Sequence, residues 1–496
     1  MKNAKLNKTR LPEKAHLIIA VLFSGLCWYL SYGLNGNYFY LLWIAPFPIL
    51  FISFNVSQKI SFLISFFAYL IGRLSWFSYL VTVATIVPAI IFTLALPLIF
   101  ALIVILTRKA VIKIGNWSAV FCFPVFFTCF EYLLILFSSD GSAGSIAYSQ
   151  SNVLPLIQIA SITGILGITF VVTLIPSAMA ISWYFRREKK QLRFATGISL
   201  LIIASVFVYG IIRVRKDIQQ ESITVGMAVL DEKLHNMDNH PDFKKETEIT
   251  EAYVKEISKL ARQGAQLVVL PERAINVSKT NETDIIGMLG LSARTNHVFI
   301  VTGYTNFRNE YQRNSSLVIN DKGIVVMDYN KTHLVKGLEE QFTPGNHLGL
   351  FKFNDVQAAT AICKDLDFPG YIQKYGLHEV GFLCIPAWDF IKDDWLHSRM
   401  AILRGVENGF AEIRPARLGR LTISDRYGRV PFEASSSTKK AASLIGKVPI
   451  VKSNTLYTRF GNWFAILNVI NAAAFIFLSV SKLKSREAID PMPVKK

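Results

Sequence analysis

The run Ala358-Ala359-Thr360-Ala361-Ile362-Cys363-Lys364-Asp365-Leu366-Asp367-Phe368-Pro369-Gly370 decides how this chain is read. Its apolar half stops abruptly at a cysteine followed by charged residues. A buried strand looks like this when it delivers a nucleophile at its carboxyl end, where open α/β sheets carry their chemistry. A lone cysteine is more often packed and inert, so Cys363 gains meaning only from the residues on either side of it.

Those residues belong to a segment with α/β texture. From Glu221 onward, strands are expected at 223–230, 265–270, 298–304, 314–320, 324–328, 358–363, 381–386 and 411–415. Helices are expected near 242–262, 282–295 and 393–409, and alternation of this kind implies sheets covered by helices. Three strand ends carry complementary groups. Leu267-Val268-Val269-Leu270-Pro271-Glu272 ends in a carboxylate, Asp328-Tyr329-Asn330-Lys331 in an ammonium and Ala361-Ile362-Cys363 in a thiol. At one sheet edge they would suffice for acyl transfer. The carboxylate takes the thiol proton, the thiolate attacks a carbonyl, and the ammonium stabilises the oxyanion and favours the thiolate.

The other half of the chain belongs to a membrane. Hydrophobic residues make up 52% of the 496, and the mean hydropathy is +0.36. Apolar runs near 15–33, 38–55, 58–80, 82–107, 118–137, 154–185 and 194–213 are read as seven spans, the second of marginal length, and 462–480 as an eighth. The net charge of +18 arises from 53 basic and 35 acidic residues. Much of the excess sits between apolar runs and no nucleic-acid-binding motif accompanies it, so it is read as topology. Lys2, Lys5, Lys8, Arg10 and Lys14, then Arg108, Lys109 and Lys113, then Arg186 to Lys190, and the tail from Lys482 to Lys496 all belong inside. Residues 217–461 then lie on the outer face. Arg73 and Glu131 fall within apolar runs, and both a polar cavity lining and a snorkelling or structural pair remain open for them. Cys27, Cys122, Cys129, Cys363 and Cys384 form no CxxC or zinc-type spacing, so no disulfide framework is expected.

In the order Pro271-Glu272, then Lys331 within Tyr329-Asn330-Lys331-Thr332-His333-Leu334-Val335, then Cys363, the chain resembles the nitrilase superfamily, whose Glu-Lys-Cys triad sits on an αββα sandwich. Seven spans before that domain and one after it narrow the resemblance to the apolipoprotein N-acyltransferase family. Glu131-Tyr132, Tyr148-Ser149-Gln150 with Gln158 and Gly164, and Trp388 with His397, Met400-Ala401, Arg404 and Glu407 are also similar to that family. So is Tyr457-Thr458-Arg459-Phe460-Gly461-Asn462-Trp463.

The resemblance implies a polytopic α-helical membrane domain plus an α/β nitrilase-type αββα sandwich. The units would be 1–216 with seven transmembrane helices, 217–461 as the catalytic domain, and 462–496 as a last helix and basic tail. It makes Glu272 the base, Lys331 the oxyanion group and Cys363 the nucleophile, with Glu339, or the adjacent Glu340, as a fourth acidic residue. Trp388, Tyr148, Gln150 and Arg73 are the implied substrate-binding residues, although a packed tryptophan is the commoner fate of a residue like Trp388. His397, Arg404 and Glu407 share a helix face and are read as structural.

The implied reaction moves an acyl chain from a phospholipid to the amine of a diacylglyceryl-cysteine lipoprotein through a cysteine thioester. No metal or organic cofactor and no nucleic acid takes part. The implied setting is the bacterial inner membrane, with the catalytic domain on the periplasmic side. A membrane-anchored amidase or hydrolase, in which water resolves the thioester, is the alternative. The chain departs from the family in Lys364-Asp365 after the cysteine, where Tyr-Glu is usual, in Lys336-Gly337-Leu338, in Pro386-Ala387, and in a short interval from Lys331 to Cys363. Asp365 and that interval lean towards the hydrolase.

Overall fold

The computed structural model describes residues 14–216, 221–235, 242–308, 310–450 and 455–480. The basic residues expected inside at either terminus, apart from Lys14, lie outside these. Among the described residues seven helices are long and apolar enough to cross a membrane. In chain order the helices of this half are α1 (Lys14–Ser31), α2 (Phe47–Ser53), α3 (Gln58–Ala84), α4 (Ile86–Ile114), α5 (Cys122–Phe137), α6 (Leu154–Ile157), α7 (Ala160–Thr163), α8 (Ile165–Tyr184) and α9 (Lys189–Val214). Here α2, α6 and α7 are too short to span.

Two expected spans therefore differ from the reading. Residues 38–55 form a 3-10 turn, Phe39–Trp43, and the seven-residue α2. Pro46 and Pro48 explain this, since a proline removes a helical N–H and clashes with the preceding turn. Residues 154–185 break at Gly164, whose φ of +69° is open to glycine and strained for other residues. The short piece at 39–53 still carries the chain back across. Gly25 abuts Ile71, Gly72 abuts Trp28 and Tyr32 packs on Trp76, so α1 and α3 run in the same direction. The return ends where Arg108, late in α4, donates from Nε to Ser53 O at 2.8 Å and from Nη2 to Val56 O at 3.0 Å.

The second half is a sandwich of two sheets. One orders its strands Ala442–Pro449, Ser222–Val229, Leu267–Val269, Phe299–Phe307, Arg313–Ile319 and Val325–Asn330, with Ile275–Ser278 also on Phe299–Phe307. The other runs Phe432–Ser435, Arg420–Ser424, Ala411–Arg414, Phe382–Cys384, Val356–Thr360 and Gly349–Phe353. Val225, Met227 and Val301 from the first meet Phe351, Phe382 and Ile413 from the second in one dry core. Cys384 is part of that core. Helices α10 (Phe243–Arg262) and α11 (Glu282–Asn296) cover the first sheet, and α12 (Pro369–Leu377) and α13 (Asp394–Asn408) the second. The central strands of each sheet pair in parallel, which turns their carboxyl ends to one edge. The short α14 (Leu456–Phe460) leads into α15 (Trp463–Val480), the last long apolar helix.

The two halves are joined at that edge. Trp395, Leu396, Met400, Leu403 and Val406 of α13 belong to the hydrophobic cluster of the membrane helices. Gln158 Nε2 donates to Tyr427 O at 2.8 Å, Ile165 N to Glu407 Oε1 at 2.8 Å, and Lys392 Nζ to Ser78 Oγ at 2.8 Å.

Candidate active site

Each reactive side chain sits just past a strand rather than within it. Leu267–Val269 is wholly buried, and the chain then turns through Pro271 to Glu272. That turn is laid onto Gly303, where an added Cβ would stand 2.5 Å from Pro271 O and 2.6 Å from Glu272 Cα. Lys331 directly follows Val325–Asn330 and is held by Asn314 O and by the amide of Gly345. Cys363 lies beyond the end of Val356–Thr360, at the head of the 3-10 turn Cys363–Asp367, with φ +38°. A non-glycine residue with positive φ stores backbone strain, and the surrounding contacts must hold it there.

The segment Pro386–Trp388 ties base and nucleophile together. Cys363 N donates to Pro386 O at 3.1 Å and Glu272 N to Ala387 O at 3.3 Å, while Cys363 Sγ lies 3.6 Å from Trp388 O. Lys331 Nζ bridges two carboxylates, Glu272 Oε1 at 2.7 Å and Glu339 Oε2 at 2.8 Å. Asn314 Nδ2 also bridges the pair, 2.6 Å from Glu272 Oε1, the oxygen that Lys331 meets, and 2.6 Å from Glu339 Oε1. Between the two adjacent glutamates the geometry is unambiguous, because Glu339 is buried against Lys331 and Glu340 is exposed.

Electrostatics follow from burial and this pairing. Burial lowers the Lys331 pKa, but Glu272 and Glu339 outweigh it and hold the ammonium charged. Burial raises the Glu272 carboxyl, Lys331 opposes it and Glu339 adds to it, leaving a stronger base than a free glutamate. Glu339 moves the other way, since Lys331 and the Val335 amide outweigh its burial. Burial and the Glu272 charge hold the Cys363 thiol well above its usual range, with Lys331 and Arg414 acting against them. The expectation that the lysine favours the thiolate holds in direction, but burial and the Glu272 charge outweigh it.

The implied substrate-binding residues separate. Trp388 is at the site, half-buried, with the Arg417 guanidinium 4.0 Å from its ring centroid. Tyr148 and Gln150 are fully buried elsewhere and have packing partners. Tyr148 OH meets Ser142 Oγ at 2.6 Å and receives Arg404 Nη2 at 3.0 Å, whereas Gln150 accepts from Trp43 Nε1 at 2.9 Å. Arg73 is buried between Tyr32 and Trp76, 5.0 Å from each ring. Among the described residues none of these three has a hydrogen bond or ion pair with Glu272, Lys331 or Cys363. Glu131 caps the following loop, accepting from Ile146 N at 2.8 Å and Ser145 Oγ at 2.9 Å. Arg404 pairs with Glu407 at 2.7 Å, in keeping with the structural reading of that helix face.

The two departures after the cysteine also have structural partners. Asp365 is fully buried and accepts from Tyr329 OH at 2.7 Å, Ile362 N at 3.0 Å, Thr332 N at 3.2 Å and His333 N at 2.9 Å. It fastens the cysteine turn to the lysine turn. Lys364 Nζ reaches Asp140 Oδ1 at 2.8 Å, and Ser142 N donates to Asp367 O at 2.8 Å, so the loop after α5 clasps the nucleophile turn. Asn314 was missed by sequence reasoning. The signal was Asn314-Ser315-Ser316, a polar run in an otherwise apolar strand.

Among the described residues no cluster of His, Cys, Asp and Glu could hold a metal ion.

Residues 24–178 match the family described as apolipoprotein N-acyltransferase N-terminal domain, and residues 226–457 match the carbon-nitrogen hydrolase family. The chain is 25% identical to the apolipoprotein N-acyltransferase of Geobacter metallireducens over 88% of this chain and 91% of that one. It is 24% identical to that of Thermotoga maritima over 73% of this chain and 71% of that one. A solved amidase from Nesterenkonia sp. superposes with a TM-score of 0.41 at 16% identity, over 50% of this chain and 96% of that one.

Proposed function

The chain belongs to the apolipoprotein N-acyltransferase family within the carbon-nitrogen hydrolases, as a multi-pass membrane acyltransferase, and from that premise we propose that it acylates lipoproteins through a thioester on Cys363. Glu272 takes the thiol proton as Sγ attacks the ester carbonyl of a phospholipid. The Lys331 ammonium, fixed by Glu272 and Glu339, stabilises the oxyanion of the tetrahedral intermediate. Its collapse breaks the ester bond, and Glu272 returns the proton to the departing lysophospholipid. In the second half, Glu272 takes a proton from the α-amine of a diacylglyceryl-cysteine. The amine attacks the thioester, an amide forms, and the thiol is restored.

The observation that carries this reading is the contact chain Glu272–Lys331–Glu339 beside a strained, half-buried Cys363, on a domain seated against membrane helices. The seat suits substrates that are both anchored in a leaflet. Arg108, Lys109, Lys113 and Arg186 to Lys190 all lie at the helix ends away from the α/β domain. By the positive-inside rule those ends are cytoplasmic and the catalytic domain is periplasmic.

Intact-mass spectrometry of the protein incubated with phospholipid tests the proposal, with Cys363→Ala beside it. An acyl-sized adduct on Cys363 that a diacylglyceryl peptide discharges is the expected result. An adduct that decays equally fast without the peptide overturns acyl transfer in favour of hydrolysis.

A further inference from the structure

Glu272 is followed by Arg273, whose φ of +48° makes two consecutive elements of the site, the base turn and the nucleophile turn, backbone-strained. Arg273 rests on two aromatic rings. Its guanidinium lies over the Phe342 ring at 5.0 Å and the Trp388 ring at 5.6 Å from the centroids. Its Nε donates to Thr305 Oγ1 at 3.1 Å. Among the described residues neither Nη has a hydrogen-bond partner, and no carboxylate pairs with it.

The other two arginines here are already neutralised. Arg414 makes a two-pronged pair with Asp389, at 3.0 Å and 2.6 Å, and Arg417 reaches Glu232 at 2.6 Å. Arg273 is thus the one guanidinium of the three with no carboxylate at ion-pair distance, the charges of Glu272 and Glu339 acting on it only from further off. It also lies on the open face. Glu272, Lys331 and Glu339 are buried, whereas Cys363, Trp388, Phe390 and Arg273 are half-buried. Phe390 packs on the membrane cluster, and Lys392 contacts Ser78 near the end of α3, so this face begins at the bilayer.

We propose that the two Nη groups of Arg273 bind the phosphate of the acyl donor while its ester carbonyl meets Cys363, so that this residue selects glycerophospholipids over neutral acyl esters. The inference rests on the phospholipid-donor reading above. A guanidinium presents paired N–H groups that fit two phosphate oxygens, whereas an ammonium supplies only a point charge. In a glycerophospholipid the phosphate and the ester share one glycerol unit, which matches an arginine next in sequence to the base. Trp388 and Phe342, beneath the guanidinium, fix its plane.

The test compares initial rates of Cys363 acylation by a phosphatidyl lipid and by the p-nitrophenyl ester of the same fatty acid, using the full chain in detergent micelles. The readout is the ratio of the two rates, so a variant that folds poorly lowers both without moving it. Arg273→Gln should lower the phospholipid-to-ester ratio about 10- to 100-fold, the range for losing a charge-assisted contact. Arg273→Lys should recover part of that ratio. A ratio unchanged in Arg273→Gln, whether or not both rates fall together, would overturn the proposal alone. A wild type acylated by the ester and never by phospholipid would overturn the donor reading and this inference with it.

Discussion

Replacing Glu339 with glutamine removes one charge from the site and almost no volume. Every group that meets its carboxylate is a donor. Oε2 accepts from Lys331 Nζ at 2.8 Å and Val335 N at 2.8 Å, and Oε1 from Asn314 Nδ2 at 2.6 Å. The amide NH2 of glutamine must therefore face a donor whichever way it turns. Asn314 cannot flip to relieve this, because its Nδ2 also serves Glu272 Oε1. One buried donor is left unsatisfied, at about 1–3 kcal/mol. Adding the weakened Lys331 pairing gives a loss of about 2–4 kcal/mol, and a fall of about 5–10 °C in unfolding temperature.

The pH profile has a defined sign. Burial raises the Glu272 pKa most, and the like charge of Glu339 raises it further. Without Glu339 the Glu272 carboxyl ionises at lower pH, so the acidic limb of the acylation rate moves down. The maximal rate falls about 100-fold, because the base is weaker and the ammonium less firmly placed. Rates of Cys363 acylation by phospholipid across pH measure both effects, with exposed Glu340→Gln as the control expected to change neither. A Glu339→Gln protein with wild-type rates, or with its acidic limb moved up, would refute the reasoning.

Gly303→Ala would push a Cβ into the backbone that carries Glu272, and acylation should drop about 100-fold while far-ultraviolet circular dichroism is retained. Asp140→Asn loosens the clasp on the nucleophile turn. Because Asp140 is half exposed, its stability effect should stay below about 1 kcal/mol, with a several-fold slower acylation read by intact mass. His397 gives a stability prediction. Burial lowers its pKa, but Asp393 and Asp389 outweigh burial and bring it to about 9. A folded pKa above the unfolded one means that its contribution is full below about pH 6.5. It is lost as pH rises through about 9, so unfolding temperature should fall over that window, and less so in His397→Gln.

Much of the architecture was legible because hydropathy and chemistry are local. Six long apolar runs before the α/β half and one after it are helices, and Glu272, Lys331 and Cys363 could be singled out because each closes an apolar run with a reactive group. The failures have a common origin. Residues 38–55 met the composition of a span, but whether a chain with two prolines crosses as a helix depends on the neighbours that hold it. Parallel packing of α1 on α3 shows that the crossing is made all the same. Tyr148 and Gln150 are read from the family resemblance and Arg73 from its charge within a span, and only the fold shows their neighbours, Ser142 and Arg404, Trp43, and Tyr32 and Trp76.

The sequence by itself determined that long apolar runs flank an α/β segment, and it singled out Glu272, Lys331 and Cys363 as groups whose chemistry would suit acyl transfer. Hydrophobic runs and the reactivity of side chains require no knowledge of the fold. Only the tertiary structure decided that Glu339 rather than Glu340 braces the lysine, that Asn314 bridges both carboxylates, and that burial pushes the Cys363 thiol up. It alone decided that Asp365 and Lys364 fasten the nucleophile turn to the lysine turn and to the membrane loop. Each of these depends on distances between residues far apart in the chain, and a pKa or an ion pair is set by the charges and burial that folding brings together.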